Sequence, residues 1–207
     1  MTSSADYYVK PLPFENDLKG ISARTIEIHH DKLYEGYVAK MKEVGAGLSE
    51  FATGKKELAG NQTYSELRAL RLGETFARNG VYLHEYYFDV LGGDGKVPDN
   101  ALTSALIEKF GSIQSFIDYF SASAMSIRGW ILLALDLQDD QLHVYGCDSH
   151  NHGGVWGCMP IIVLDVYEHA YYLDHGSDRK SYIVDYWKNF NWDVANKLYE
   201  KWSSMDA

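Results

Sequence analysis

The amino-acid sequence predicts an α+β fold: an N-terminal α-helical hairpin domain followed by a C-terminal α/β domain with a small antiparallel sheet flanked by helices. Three observations lead there. Two long helix-compatible runs fill the N-terminal part of the chain. A nearly unbroken apolar, β-branched run, Ile161 to Val166, lies late in it. Between them stands the clearest linker, Gly92-Gly93-Asp94-Gly95-Lys96-Val97-Pro98, made of residues that punctuate helices and strands rather than continue them. Helices first, then strands, then helices again is the order of segregated elements, not of a repeating strand–helix alternation.

The first helix is expected from Ser22 to about Leu48, with the Ser22 hydroxyl capping the free amides of its first turn. The second runs from Asn61 to about Leu91, and Gly73 and Gly80 are its candidate interruptions, since a mid-helix glycine costs about 1 kcal/mol. The polar stretch Thr53-Gly54-Lys55-Lys56 joins the two into a hairpin. Residues 1–92 then make one domain and residues 98–207 a second. In the second, Asn100–Phe110 and Ser112–Met125 read as shorter helices, and Trp130–Leu137 and Gln141–Tyr145 as strands about the turn Asp139-Asp140. Pro160 opens the run Ile161–Val166, whose continuous apolar character is that of a buried central strand. Tyr182 to Trp202 reads as a terminal helix pair broken near Asn189–Trp192.

Composition limits the function classes. The chain has 207 residues, 46% hydrophobic and 23% charged, an ordinary globular balance with enough chain to bury a core. Its net charge of −10, with no Lys/Arg block, argues against nucleic acid and against anionic membrane surfaces as partners. No apolar run approaches the roughly 20 residues that span a bilayer, and the start MTSSADYYVK lacks the pattern of a secretory signal. Two cysteines make no disulfide scaffold and suit a reducing, cytoplasmic setting. Aromatic residues reach 14%, with 16 Tyr and 5 Trp. Several of the eight histidines sit among them, which raises the question of a metal, because imidazole is the commonest metal ligand.

Three segments carry the chemistry. On the first helix His29, Leu33 and Tyr37 are spaced four apart and so form a stripe on one face. His30 points elsewhere, so only one of the adjacent histidines joins a given site. On the second helix His84 lies in Val81-Tyr82-Leu83-His84-Glu85-Tyr86-Tyr87-Phe88, where a buried imidazole needs partners for both nitrogens. Each of these two histidines, taken alone, reads as a hydrogen-bonded core residue before it reads as a ligand. In Asp165-Val166-Tyr167-Glu168-His169-Ala170-Tyr171-Tyr172 a carboxylate ends the apolar strand and an imidazole follows four residues on; a buried carboxylate needs a cation, a metal or several donors. Three imidazoles and one carboxylate, without thiolates, suit a borderline first-row ion rather than an iron–sulfur cluster or a cysteine-type zinc site.

With these residues the chain resembles the iron/manganese superoxide dismutases. The likeness lies in Leu12-Pro13-Phe14, in ISARTIEIHH followed by Tyr37-Val38, in the mid-chain helix bearing His84, in DVYEHAYY, and in the closing Trp187 and Asn191-Trp192. It spans roughly residues 11 to 202. The resemblance implies a dismutation of superoxide to oxygen and hydrogen peroxide by one iron or manganese ion per chain, held by His29, His84, Asp165 and His169. It further implies that Tyr37 gates the substrate approach, that Trp130 walls the cavity, although a plain core Trp explains it nearly as well, that Tyr167 lies between the ligands Asp165 and His169, and that Arg179 steers the anionic substrate, although a surface or interface salt bridge explains Arg179 equally. Glu168 and Tyr172 then belong to the contact with a partner chain in a homodimer or larger assembly.

The chain also departs from that family's pattern. Leu33 stands where a gateway histidine usually pairs with the second tyrosine of EHAYY, here Tyr172, which points to an altered proton path and leaves open a catalytically weakened homologue that only binds metal. A zinc hydrolase with the same ligands lacks a general base. Gly80 occupies the position of the glutamine that in many iron enzymes bonds the metal's solvent molecule, so the donor is expected from Gly146–His152, with His150 favoured over His152. Tyr167 replaces the usual Trp, and Ile127-Arg128-Gly129-Trp130 a G-S-G-W pattern. Cys147 and Cys158 flank the loop; a disulfide between them is conceivable, and reduced thiols suit the expected compartment.

Overall fold

The computed structural model describes residues 7–205; the first six residues of the N-terminal segment read above lie outside that range. The helical part comprises α1 (Ala23–Ile28), α2 (Glu35–Ala52) and α3 (Glu66–Asp89). After the linker come α4 (Ala101–Phe110), α5 (Ile113–Ser126), β1 (Trp130–Asp136), β2 (Gln141–Cys147), β3 (Cys158–Asp165), α6 (Tyr172–His175), α7 (Arg179–Lys188) and α8 (Trp192–Ser203). The expected α+β architecture is what forms: helices packed against one small antiparallel sheet. Side-chain caps start the helices, with Ser22, Ser65, Asn100, Ser112, Asp178 and Asn191 each accepting a backbone amide of the first turn. Among the described residues, no helix is long and apolar enough to cross a membrane.

The first helix is not a uniform α-helix. Between α1 and α2 the residues His29–Tyr34 form a π turn, with the Glu35 amide bonded to the His30 carbonyl. At 3.6 residues per turn, a residue eight positions beyond His29 sits about 80° past it around the axis. The wider π turn removes that drift and brings Tyr37 over the same face as His29. The three-residue stripe read from the sequence is therefore replaced by a face carrying His29 and Tyr37, and Leu33 is half-buried.

Helix α3 passes through Gly73 and Gly80 without interruption. Both glycines face α2: a Cβ at Gly73 would meet Val44, and one at Gly80 would strike the Tyr37 ring. They permit close helix–helix approach, and packing offsets their low helix propensity. The linker is not slack either. Gly93 and Gly95 donate their amides to the carbonyls of Asn189 and Phe190, at 2.9 and 3.2 Å, in the break between α7 and α8.

The strand order is β2-β1-β3, all antiparallel, so the run Ile161–Val166 supplies an edge strand and not the central one. The central strand is β1, buried along its whole length. β3 reads as central because α3 and α8 both pack on it and hide its outer part. Pro160 was the contrary signal, since proline is confined to edges and bulges. Here it sits at a register shift, with Leu133 opposite Ile162 and Ala134 opposite Pro160. Pairing of Trp130 with Cys147 and of Asp136 with Cys158 puts the two cysteines at opposite ends of β1, about 20 Å apart at roughly 3.3 Å per residue. A disulfide between them is excluded by reach, and both are free thiols.

Candidate metal centre

Side chains from four separate places in the fold converge where the helical part meets the sheet. His29 comes from the π turn, His84 from α3, Asp165 from the last position of β3, and His169 from the short 3-10 turn Glu168–Ala170. One donor atom from each lies within 4.8 Å of every other. Asp165 Oδ2 is 3.1 Å from His29 Nε2, 3.1 Å from His169 Nε2 and 3.8 Å from His84 Nε2. Donors about 2.1 Å from a shared ion stand about 3.0 Å apart at right angles and about 3.6 Å apart at 120°. The three distances at Asp165 are close to the edge lengths of a coordination sphere.

Protonation and hydrogen bonding fit a cation as well. His84 Nδ1–H donates to the Gly80 carbonyl one helical turn back, which puts the lone pair on Nε2. That Nε2 is fully buried and has no hydrogen-bond partner among the described residues, a costly state that an ion at the shared point relieves. Asp165 Oδ1 accepts the Tyr167 amide at 2.8 Å, leaving Oδ2 for the histidines. Burial pushes His29 below its ordinary value and His84 well below it. For Asp165, burial favours the neutral acid, yet the charge and hydrogen bonds of His169 and His29 outweigh it and hold the carboxyl well below the usual range. His169, partly open to solvent, is also pushed down by burial, but Asp165 more than reverses this and holds it above its ordinary value. The ionised Asp165 and the neutral His29 and His84 are ready to ligate, whereas His169, which shares its proton with Asp165, must release that proton for an ion to bind. Nitrogen and oxygen donors without thiolate suit iron or manganese.

Aromatic side chains close the centre. Trp130 stands edge-on to His84 at 5.0 Å, and its indole Nε1–H donates to His150 Nδ1 at 2.8 Å. Tyr37 lies 5.3 Å from His84 and edge-on to His150 at 4.6 Å, with Phe76 on another side of His150 at 4.6 Å. Tyr167 stacks on His169 at 5.3 Å, and burial pushes its hydroxyl up to about 12. His150 is only 3% exposed, whereas His152 is exposed. Burial pushes His150 down to about 4, so the ring is neutral; with Nδ1 accepting from Trp130, its proton is on Nε2.

Gly80 explains why no longer residue occupies that position. A Cβ there would lie 2.8 Å from the Tyr37 ring. Gly80→Ala, which in an exposed helix interior stabilises by roughly 0.5–1 kcal/mol, is expected here to lower the thermal midpoint and displace Tyr37. A Tyr37 ring whose NMR shifts stay those of the parent would contradict this.

The other predicted residues lie at the margin. Glu168 and Tyr172 are exposed, next to the partly open His169. Arg179 donates to the carbonyls of Ile127 at 2.7 Å and Ala124 at 3.3 Å, which ties α7 to the C-terminal end of α5, and among the described residues no carboxylate pairs with it. His30 is turned away, bonded to Asp31 and to the Lys10 carbonyl. Three tyrosines that the sequence reading missed buttress the ligands. Tyr182 donates to the Asp165 carbonyl at 2.8 Å and accepts from the Tyr87 hydroxyl at 3.0 Å, and the Tyr87 ring packs on His29 at 5.1 Å. Tyr34 donates to Glu85, the neighbour of His84, at 2.9 Å. A second His/Asp group, Asp136, Asp139 and His143, is satisfied within its hairpin: Asp136 by the Gln138 amide and Tyr145, Asp139 by the Gln141 amide and His143.

Known proteins carry similar sequences. Residues 98–198 match the family profile described as iron/manganese superoxide dismutases, C-terminal domain. The chain is 44% identical over 187 residues to superoxide dismutase [Fe] of Aquifex pyrophilus, covering 89% of this chain and 87% of that protein. It is 43% identical over 186 residues to superoxide dismutase [Fe] of Aquifex aeolicus, with the same coverage, 89% and 87%. Superoxide dismutase [Mn] 1 of Haloferax volcanii is 33% identical over 200 residues, covering 95% of this chain and 96% of that protein. With likeness at this level running through nearly the whole chain, and a buried three-histidine, one-aspartate cluster at its centre, the chain belongs to the iron/manganese superoxide dismutases, which convert superoxide to oxygen and hydrogen peroxide with one iron or manganese ion.

Proposed function

We propose that His29, His84, Asp165 and His169 hold the ion, that Tyr37 and His150 are the proton-bearing groups beside it, and that the working unit is at least a homodimer. The observation that carries the ligand assignment is the mutual approach of the four donor atoms around the unpartnered His84 Nε2. When bound, the ion supplies the one-electron exchange, taking an electron from one superoxide and giving it to a second. The residues do the rest. The second half of the cycle consumes protons, and the Tyr37 hydroxyl, which burial and the nearby Asp165 carboxylate keep protonated, and the His150 Nε2–H stand beside the ligands to relay them. Trp130 fixes the His150 tautomer and ring plane, and Phe76 and Tyr37 exclude bulk water from its flanks.

Leu33 cannot relay a proton, so the relay is assigned to Tyr37 and His150 rather than to a gateway imidazole. The acidic chain repels an anion, but screening limits that to about 8 Å at physiological salt, and Arg179, free of a carboxylate partner among the described residues, draws superoxide locally. Exposure of Glu168 and Tyr172 beside His169 supports a partner chain covering that edge, and the reading is of a cytoplasmic protein. The test is elemental analysis and dismutase activity of the protein loaded separately with iron and with manganese, in parent and in His84→Ala. The parent is expected to retain one ion per chain and the variant none. Stoichiometric, active metal in His84→Ala overturns the ligand assignment.

A further inference from the structure

His150 is carried on a turn that the sheet does not hold. Ser149–His152 is closed on itself by the His152 amide bonded to the Ser149 carbonyl at 3.2 Å and the Asp148 amide bonded to the His152 carbonyl at 3.1 Å, and His150 and Asn151 form its tip. That tip is tied to α3 by side chains. Asn79 Nδ2 donates to the His150 backbone carbonyl at 2.9 Å, and Asn151 Nδ2 donates to Thr75 Oγ1 at 2.9 Å. Residues 75 and 79 are one turn apart on the same face of α3, and the next residue after Asn79 is Gly80, against which Tyr37 lies. His150 is thus held at two points: its backbone by Asn79 and its ring by the Trp130 indole.

We propose that Asn79 is a positioning residue for His150, setting how the imidazole meets the centre through the carbonyl it grips. A loop side chain keeps a productive geometry only when its support is fixed. Loss of the Asn79 amide leaves the tip tied to α3 through the Asn151 side chain alone, so the Trp130–His150 hydrogen bond opens more often. The electrochemical consequence rests on the reading of His150 given above; the geometric one does not.

Asn79→Ala and the isosteric Asn79→Asp, whose carboxylate cannot donate to a carbonyl, test this. Hydrogen exchange of the Trp130 indole N–H reports the His150 contact directly. The indoles of Trp187, bonded to Ser121, and Trp202, bonded to the Pro160 carbonyl, serve as controls. Removal of one hydrogen bond of ordinary strength is expected to speed Trp130 exchange about tenfold in both variants, with the controls unchanged. The reduction potential of the metal-loaded protein is expected to move in the same direction as in His150→Gln. Parent-like Trp130 exchange overturns the proposal, and so does equal acceleration of all three indoles, which marks general loosening. If Trp130 responds but His150→Gln leaves the potential unmoved, the clamp stands and the assignment of His150 fails.

Discussion

Asp165→Asn is expected to weaken retention of iron or manganese by more than ~100-fold and to bring dismutation down to the background of the assay. The substitution keeps size and shape, so it isolates charge. Asp165 is the one anionic member of the cluster, is fully buried, and contacts all three histidines through a single oxygen. An asparagine leaves three neutral imidazoles to carry a cation with no compensating charge in a buried site, the arrangement that burial penalises most. Replacement of groups that merely support a ligand already costs 10–100-fold in affinity, and loss of the charged ligand itself exceeds that. A second readout needs no turnover. Saturating metal stabilises the parent by about 4 kcal/mol when present at 1,000 times its dissociation constant, and at the same concentration a 100-fold weaker site leaves about 1.4 kcal/mol or less in Asp165→Asn. Elemental analysis after dialysis and thermal unfolding with and without added metal measure both. Stoichiometric metal in the variant would remove the electrostatic account of the site.

His84 and Asp165 were legible as buried polar groups because their neighbours are largely apolar or aromatic, and it was the family resemblance that joined them with His29 and His169 as one ligand set. His84 amid Tyr82, Tyr86, Tyr87 and Phe88, or Asp165 at the end of Ile161–Leu164, has no solvent to fall back on, and burial can be read from such neighbours. The π turn was not legible. Its cost is spread over His29–Tyr34 and recovered by contacts with α3, which lies far along the chain. The order of the strands failed for a related reason. An apolar run reports burial on both faces and says nothing about which strands lie beside it, so β3, covered by α3 and α8, looked central, while Pro160 carried the edge signal. Asn79, Tyr34 and Tyr182 escaped because a polar residue reveals its role only through its partner. Asn79 meets His150, and Tyr182 meets Asp165 and Tyr87, across separations no local pattern encodes.

Without its ion the protein is expected to lose stability as the pH falls below about 6.5, and the sign follows from which histidines are buried neutral. His150 is pushed from 6.5 to about 4 by burial, and His29 and His84 are lowered for the same reason. In the unfolded chain each returns to about 6.5. Between the two values the unfolded state binds more protons than the folded one, so stability is full above 6.5 and drains as the pH drops toward the folded value. For His150 alone the 2.5-unit gap corresponds to as much as roughly 3 kcal/mol, reached near pH 4. His169 acts oppositely: Asp165 raises it, so its contribution is full below 6.5 and is lost as the pH rises through its folded value. Three lowered groups against one raised group leave the acid loss dominant. Urea unfolding at pH 7, 6 and 5 in the presence of chelator measures it, and His150→Gln, which offers Trp130 an acceptor that does not titrate, is expected to flatten the slope. Equal slopes for the chelated parent and His150→Gln from pH 7 to 5 would mean that His150 is not held neutral.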